Sequence, residues 1–267
     1  MGLFFQVLAS GSKGNITYVE TPNTRILVDA GLSARATCSL LQATPQGVGS
    51  LDALLISHEH SDHAYGAGVI SRRFDLPVYM TPGTWKRLRQ TSRLGVLAGR
   101  RSITPGKPFM IGDMQVTAFR VSHDGAQPVG FVLEHAGHRL GICTDLGEVT
   151  SLVKECLQGC HALILEANHD LDRLINCSYP DFVIDRIKSP LGHLDNGRAV
   201  DLLRDLYHPE IGCVVLAHPS ETNNSPELVS ECFGLLRDLP EWENVRFEVA
   251  TQRGGAPGIE VGYPFGS

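Results

Sequence analysis

The chain has 267 residues, 42% of them hydrophobic, and a formal net charge of −6 from 23 basic and 29 acidic side chains. That length and apolar content suffice for one large core, so residues 1–267 are expected to form a single domain. The acidic balance argues against a protein that coats nucleic acid at large, and the absence of a membrane-length apolar run or a secretory leader pattern points to a cytoplasmic protein away from membranes.

In chain order, residues 3–8 and 16–20 read as strands joined by a turn of small residues, 10–15. An ordinary hairpin explains that turn; the sharper alternative has its amides and Lys13 contacting a phosphate. Residues 25–31 predict a third strand, with the carboxylate of Asp29 at its end. Residues 51–56 are apolar at nearly every position, as in an interior strand covered on both faces. They run into Ser57-His58-Glu59-His60-Ser61-Asp62-His63. The apolar spacing over 64–74 suits a short helix, which places the histidine cluster on a strand-to-helix turn, where α/β proteins hold ligands. His58 and His60 lie two apart and, in an extended segment, point the same way toward one ion. Asp62 and His63, past the turn, aim at a second. Imidazole suits Zn, Mn or Fe, and the neighbouring carboxylates keep such a site able to bind and activate water.

Residues 77–80 and 85–90 predict a strand and a helix. Lys86, Arg87, Arg89, Arg93, Arg100 and Arg101 form the densest basic stretch of the chain. It is either a solvated helix face or a track for a polyanionic substrate. Residues 116–121 predict a strand ending at Ser122-His123-Asp124, and 131–134 with 139–143 a hairpin over Ala136-Gly137. The hairpin leads to Asp145. Residues 163–165 form another apolar strand, ending in Glu166, which orients a ligand or nearby backbone; His169 is either near the site or on the surface. Residues 213–217 are a β-branched strand ending in His218. Cys156 and Cys160 lie four apart in an expected helix and read as core packing, and the seven cysteines, scattered and without a CxxC pair, read as reduced thiols. His135, His138, His161 and His208 have no supporting context and read as surface residues, and 252–258 reads as loop.

The pattern His58-x-His60-x-Asp62-His63 after an apolar strand resembles the signature of metallo-β-lactamase-fold hydrolases. That resemblance implies an α/β fold, a four-layer αββα sandwich of two facing mixed sheets with helices outside. It also makes His123 the third histidine ligand, Asp145 a carboxylate shared between two ions, and His218 the last ligand. The implied division is His58, His60 and His123 on one ion and Asp62, His63 and His218 on the other, with Asp29 bracing the histidine loop. The opening Leu8-Ala9-Ser10-Gly11-Ser12-x-Gly14-Asn15, the segment Ser178-Tyr179-Pro180 through Gly192-His193-Leu194-x-Asn196, and Ala217-His218-x-Ser220-x-x-Asn223-Asn224 resemble the YycJ/WalJ group. Asp195 and Pro219 stand where Ser and Leu are expected.

This group implies a metal-dependent nuclease with 5′-to-3′ exonuclease action on DNA. Two divalent ions, Zn²⁺ or Mn²⁺ and roughly 3.5–4 Å apart, would then activate a bridging hydroxide. Asp62 would hold the attacking water, and His193 would donate a proton to the leaving oxygen or clamp a phosphate oxygen. The bland alternative for His193 is a helix-capping residue. The competing function is a small-molecule hydrolase, a cyclic phosphodiesterase or thioesterase, on the same metal core.

Overall fold

The computed structural model describes residues 2–49, 51–91 and 94–262, so Arg93 of the basic stretch lies outside the described residues. The chain first runs β1 (Leu3–Ala9), β2 (Ile16–Glu20), β3 (Arg25–Val28), α1 (Ala34–Leu41), β4 (Ala53–Leu55), α2 (Ser61–Ala64), α3 (Ala67–Phe74), β5 (Pro77–Met80), α4 (Pro82–Gln90) and β6 (Gly99–Ser102). It continues as β7 (Phe109–Ile111), β8 (Met114–Arg120), β9 (Val129–His135), β10 (His138–Cys143), α5 (Ser151–Leu157), β11 (Ala162–Glu166), α6 (Leu171–Ile175), α7 (Asp181–Lys188) and α8 (Asn196–Leu206). Last come β12 (Cys213–Ala217), α9 (Pro226–Arg237), β13 (Arg246–Val249) and β14 (Ile259–Val261).

These strands form two seven-stranded sheets, ordered β14-β1-β2-β3-β4-β5-β6 and β13-β12-β11-β10-β9-β8-β7. Both are mixed. The first is antiparallel from β14 to β3 and parallel from β3 to β6. The second is antiparallel from β7 to β10 and parallel from β10 to β13. Strands β1, β3 and β4 therefore end on one edge of their sheet, and β8, β10, β11 and β12 on one edge of theirs.

Alternation along each strand divides the side chains between layers. Ile26 and Val28 pack with Val116, Phe131, Ile164 and Val215 in the core between the sheets. Leu27, Leu54 and Val78 turn outward onto Leu41, Ile70 and Leu88 of the first helix layer. Leu163, Leu165, Val214 and Leu216 meet Leu157, Leu203 and Phe233 of the second. The outcome is the expected αββα sandwich, held by apolar side chains whose full burial stabilises by about 1.5–3 kcal/mol each.

Three local expectations change. The helix expected over 64–74 is two helices, because Gly66 packs against backbone: its amide donates to the Ala30 carbonyl at 2.7 Å, and a Cβ there would stand 2.2 Å from the Leu32 oxygen. Cys160 lies beyond the end of α5, past Gly159 at a φ of 73°; it is still buried and packs in the outer core. Strands β6 and β14 form the two edges of the first sheet, β6 within the basic run and β14 just past the 252–258 loop. Both are short edge strands: β6 carries no apolar alternation, and β14 alternates over three residues only, Ile259 and Val261 inward and Glu260 outward.

Candidate metal centre

The loop after β4 carries His58, His60, Asp62 and His63, the last two inside α2. Asp29, at the end of β3, holds this loop: its carboxylate accepts from the Ser57 amide at 2.8 Å and the Ser57 hydroxyl at 2.8 Å, and lies 2.7 Å from His63 Nδ1. The facing sheet supplies the rest one strand end at a time, with His123 after β8, Asp145 after β10, Glu166 at the end of β11 and His218 after β12. His193 comes from the loop before α8. Asp29, Asp145 and His218 have φ values of 62°, 56° and 57°, a left-handed conformation that non-glycine residues adopt at a cost and that collects at functional sites.

The structure brings these side chains together. Candidate ligand atoms of His58, His60 and His123 lie within 4.8 Å of one another, as do those of Asp62, His63 and His218. Asp145 stands between the groups, with Oδ2 2.9 Å from His63 Nε2 and Oδ1 3.6 Å from His123 Nε2 and 3.7 Å from His218 Nε2. His58, His63, His123, Asp145 and His218 are all buried, whereas His60, Asp62 and His193 reach the surface of the crevice.

Each of these histidine rings is held through one nitrogen. Ser57 Oγ gives its proton to Asp29, so at 3.0 Å it accepts from His58 Nδ1. His63 Nδ1 faces Asp29, His123 Nδ1 faces the Gly192 carbonyl at 3.0 Å, and His218 Nδ1 faces Glu166 Oε1 at 3.1 Å. His60 is turned the other way, with Nε2 3.3 Å from Asp124 Oδ1 and Nδ1 3.3 Å from His123 Nε2. These acceptors set the tautomers and leave the inward nitrogens with lone pairs, the arrangement that orients metal-binding histidines. His58 Nε2 is buried without a hydrogen-bond partner. Asp145 Oδ2, despite its 2.9 Å approach to His63, receives no hydrogen bond of good geometry. Orphaned buried nitrogen and carboxylate atoms around one point fit a divalent cation.

The electrostatics agree. Burial pushes the His58 pKa well below its ordinary value and lowers His60 as well. Burial would raise Asp145, but His218 and His63 outweigh it and hold the carboxyl well below the usual range. Burial likewise opposes ionisation of Asp62 and Glu166; contacts with His218 reverse it for Asp62, and His193 brings Glu166 down to about 2. At His63 burial is outweighed by Asp145 and Asp29, at His218 by Asp145 and at His193 by Glu166, so all three are raised; the carboxylate charge that draws a proton to His63 and His218 draws a metal cation in its place. The carboxylates stay ionised, and their charge favours a cation between them.

Glu166 orients both a ring and the backbone. Oε1 lies 2.8 Å from His193 Nδ1, while Oε2 accepts from the Leu146 and Leu194 amides at 2.8 and 3.1 Å. His193 does not cap α8; Asp195 does, accepting from the Arg198 amide at 2.9 Å, so the departure from Ser at 195 keeps a capping oxygen. His169 is buried at 1% exposure and bridges to Asp195, which excludes the surface alternative. His135, His138, His161 and His208 are half-buried rather than surface residues, and His208 Nε2 reaches the Cys160 carbonyl at 3.0 Å. The phosphate-contacting alternative for the 10–15 turn is not supported. Its Gly11 and Lys13 amides donate to Asn15 and Gln252, Lys13 pairs with Glu221, and Ser10 Oγ accepts from the His218 amide at 2.7 Å.

Asn15 and Asp124 also touch the centre, Asn15 Nδ2 3.0 Å from His63 Nε2 and Asp124 Oδ1 3.3 Å from both His60 and His123 Nε2. Asp124 follows a candidate ligand directly, a signal that adjacency alone makes weak. Asn15 closes the opening motif, but its place at the centre comes from the fold, which sets it against Asp62 and His63, 47 and 48 positions away.

Comparison with known proteins agrees with this geometry. Residues 24–218 match the β-lactamase superfamily domain. The chain is 38% identical to exodeoxyribonuclease YycJ of Bacillus anthracis over 85% of its own length and 86% of the relative's. It is 34% identical to exodeoxyribonuclease WalJ of Streptococcus pneumoniae, at 85% and 86% coverage. Zn²⁺-bound PqqB from Methylobacterium extorquens superposes with a TM-score of 0.72 at 19% identity, covering 97% of this chain and 100% of that one. The short form of human tRNase Z superposes at 0.66 and 17% identity, covering 97% and 99%. No described helix is long and apolar enough to cross a membrane. From its sandwich fold, its histidine–aspartate centre and these matches, the chain belongs to the metallo-β-lactamase-fold hydrolases of the β-lactamase superfamily, in the YycJ/WalJ family.

Proposed function

We propose that this protein is a metal-dependent phosphodiester hydrolase that degrades DNA as a 5′-to-3′ exonuclease. The observation that carries the reading is the set of histidines, each held outward through one nitrogen and aimed inward through the other, around a buried ionised Asp145. His58, His60 and His123 would hold one ion and Asp62, His63 and His218 the other, with Asp145 shared. When bound, the two divalent ions, Zn²⁺ or Mn²⁺, supply an activated water and charge stabilisation on a phosphoryl oxygen. Asp62, partly exposed beside the centre, accepts a hydrogen bond from the attacking water and aligns it. His193 offers Nε2, which has no protein partner among the described residues, as the proton donor to the departing oxygen, while Glu166 holds Nδ1. Proton transfer of this kind contributes about 10²–10⁴-fold in rate. The exodeoxyribonuclease relatives support DNA as substrate, and the free cysteines are consistent with action in the reducing cytoplasm.

The test is degradation of linear DNA labelled at either end, with Mn²⁺ or Zn²⁺, by wild type and His193→Ala. Mononucleotides released from 5′ ends, with the rate sharply reduced in the variant, are expected. Turnover of a small phosphodiester or thioester without any cleavage of DNA would replace this reading with the small-molecule hydrolase.

A further inference from the structure

Beside the metal centre a cavity of about 500 Å³ opens at His60 and Asp124 and continues along α4 to Ala64, Tyr65, Arg87 and Leu88. At Leu88 and Leu94 it meets a second cavity of about 480 Å³, lined by Trp85, Arg89 and Arg100. The basic stretch therefore does not form a plain convex helix face. Arg87 lines the first hollow, which also holds the Glu59 and Asp124 carboxylates near the centre, and Arg89 and Arg100 line the second; the two share an apolar floor, Leu88 and Leu94 being 5% exposed each, and the first reaches a histidine of the centre.

Two features mark these hollows as built for a polyanion with flat rings. None of Arg87, Arg89 and Arg100 pairs with a described carboxylate, although the chain as a whole is acidic. Arg89 and Arg100 instead flank the Trp85 ring at 5.8 and 4.9 Å, a cation–π arrangement that leaves their outward N–H groups for phosphate. At the mouth, Tyr65 is 56% exposed one turn after Asp62. The wall between the hollows is fixed, because Arg72 donates to the Leu94 and Val96 carbonyls at 3.1 and 2.7 Å.

We infer that the α4 groove from Tyr65 and Arg87 to Trp85 and Arg100 is a single-strand DNA track. It would seat an unpaired base against Tyr65 next to the scissile bond and the following phosphates on Arg87, Arg89 and Arg100. A cavity of about 500 Å³ takes one small ligand, which is room for an unpaired base. Stacking on aromatic faces with cations along the backbone is the chemistry of sequence-tolerant single-strand binding. The inference rests on the nuclease reading above and adds which surface holds the strand and in what state.

The test is fluorescence anisotropy of the metal-loaded protein with a fluorescein-labelled single-stranded oligonucleotide whose linkages are phosphorothioate, titrated with salt. Removing Arg87, Arg89 and Arg100 together by alanine substitution should weaken binding and flatten the slope of log affinity against log salt by about 2, at roughly 0.7 per lost phosphate contact. Tyr65→Ala should lose roughly 5- to 150-fold in affinity, and Tyr65→Phe should restore most of it. Lys154→Ala, in the helix layer of the other sheet, should leave both quantities unmoved. Thermal midpoints equal to wild type establish that the variants are folded. An unmoved salt slope in the triple variant, or equal affinities for Tyr65→Ala and Tyr65→Phe, overturns the track while leaving the nuclease reading in place. Wild type that binds no oligonucleotide yet hydrolyses bis(p-nitrophenyl) phosphate removes the nuclease reading and the track with it.

Discussion

The two sheets contribute to the centre in opposite ways. The first sheet delivers His58, His60, Asp62 and His63 on one loop, braced from below by Asp29. The second delivers His123, Asp145, Glu166, His193 and His218 from separate strand ends and one helix-opening loop. A contiguous cluster needs only local geometry to converge, so its chemistry is written in a short motif. A dispersed set converges only because parallel strands end on a common edge, so its members are interchangeable in sequence terms with ordinary strand-end turns. The bracing follows the same division: Asp29 holds one loop, through Ser57 and His63, whereas Glu166 ties together three, through Leu146, His193 with Leu194, and His218.

Removing a residue from each half tests whether they act as one unit. His58→Ala and Asp145→Ala should each take DNA hydrolysis to background and lower the bound metal measured by elemental analysis. Retained metal and rate in Asp145→Ala would separate the halves.

Glu166→Gln is expected to act next most strongly. It keeps one acceptor oxygen but puts an amide donor among His193, His218 and the Leu146 and Leu194 amides. Metal affinity should fall by about 10–100-fold, the usual effect of removing a partner of a metal-binding histidine. Competition with a chelator reads this directly, and unchanged affinity would mean that Glu166 serves only the backbone.

The contact between Gly31 and the histidine loop sharpens the comparison from the other side. A Cβ on Gly31 would stand 1.7 Å from the Asp62 oxygen, which also accepts from the Asn15 amide at 2.7 Å. Gly31→Ala should cost about 1–3 kcal/mol by overpacking and displace Asp62, seen as a lower thermal midpoint together with slower hydrolysis.

The smallest effect lies far from the centre, where Asp113 ties the β7–β8 turn to Thr21, Asn23 and Thr24. Burial opposes its ionisation, but these hydrogen bonds outweigh burial and bring its pKa down to about 2. Its contribution is therefore complete above the ordinary carboxyl value near 4 and is lost as pH falls toward 2. Asp113→Asn should cost about 1 kcal/mol at neutral pH and progressively less as pH falls through 2, measured by denaturant midpoints, with metal binding unchanged.

Much of this protein was legible in its residues. The interior strand read over 51–56 and found at 53–55, its discharge into His58-x-His60-x-Asp62-His63 and the apolar strands ahead of Asp145, Glu166 and His218 are local patterns, and local patterns survive in one dimension. The contacts of Asn15 with His63, of Asp124 with His60 and of the Gly192 carbonyl with His123 were not legible, because each joins loops distant in sequence. The same holds for the left-handed backbone at Asp29, Asp145 and His218, since no residue there is a glycine to announce it. The basic run from 86 to 101 shows the division most clearly. Its charge was evident from composition alone, but charge does not say whether a surface is convex. Only the packing of Leu88 and Leu94 beneath α4, beside a loop pinned by Arg72, turned those cations into the walls of a groove that opens on the metal centre.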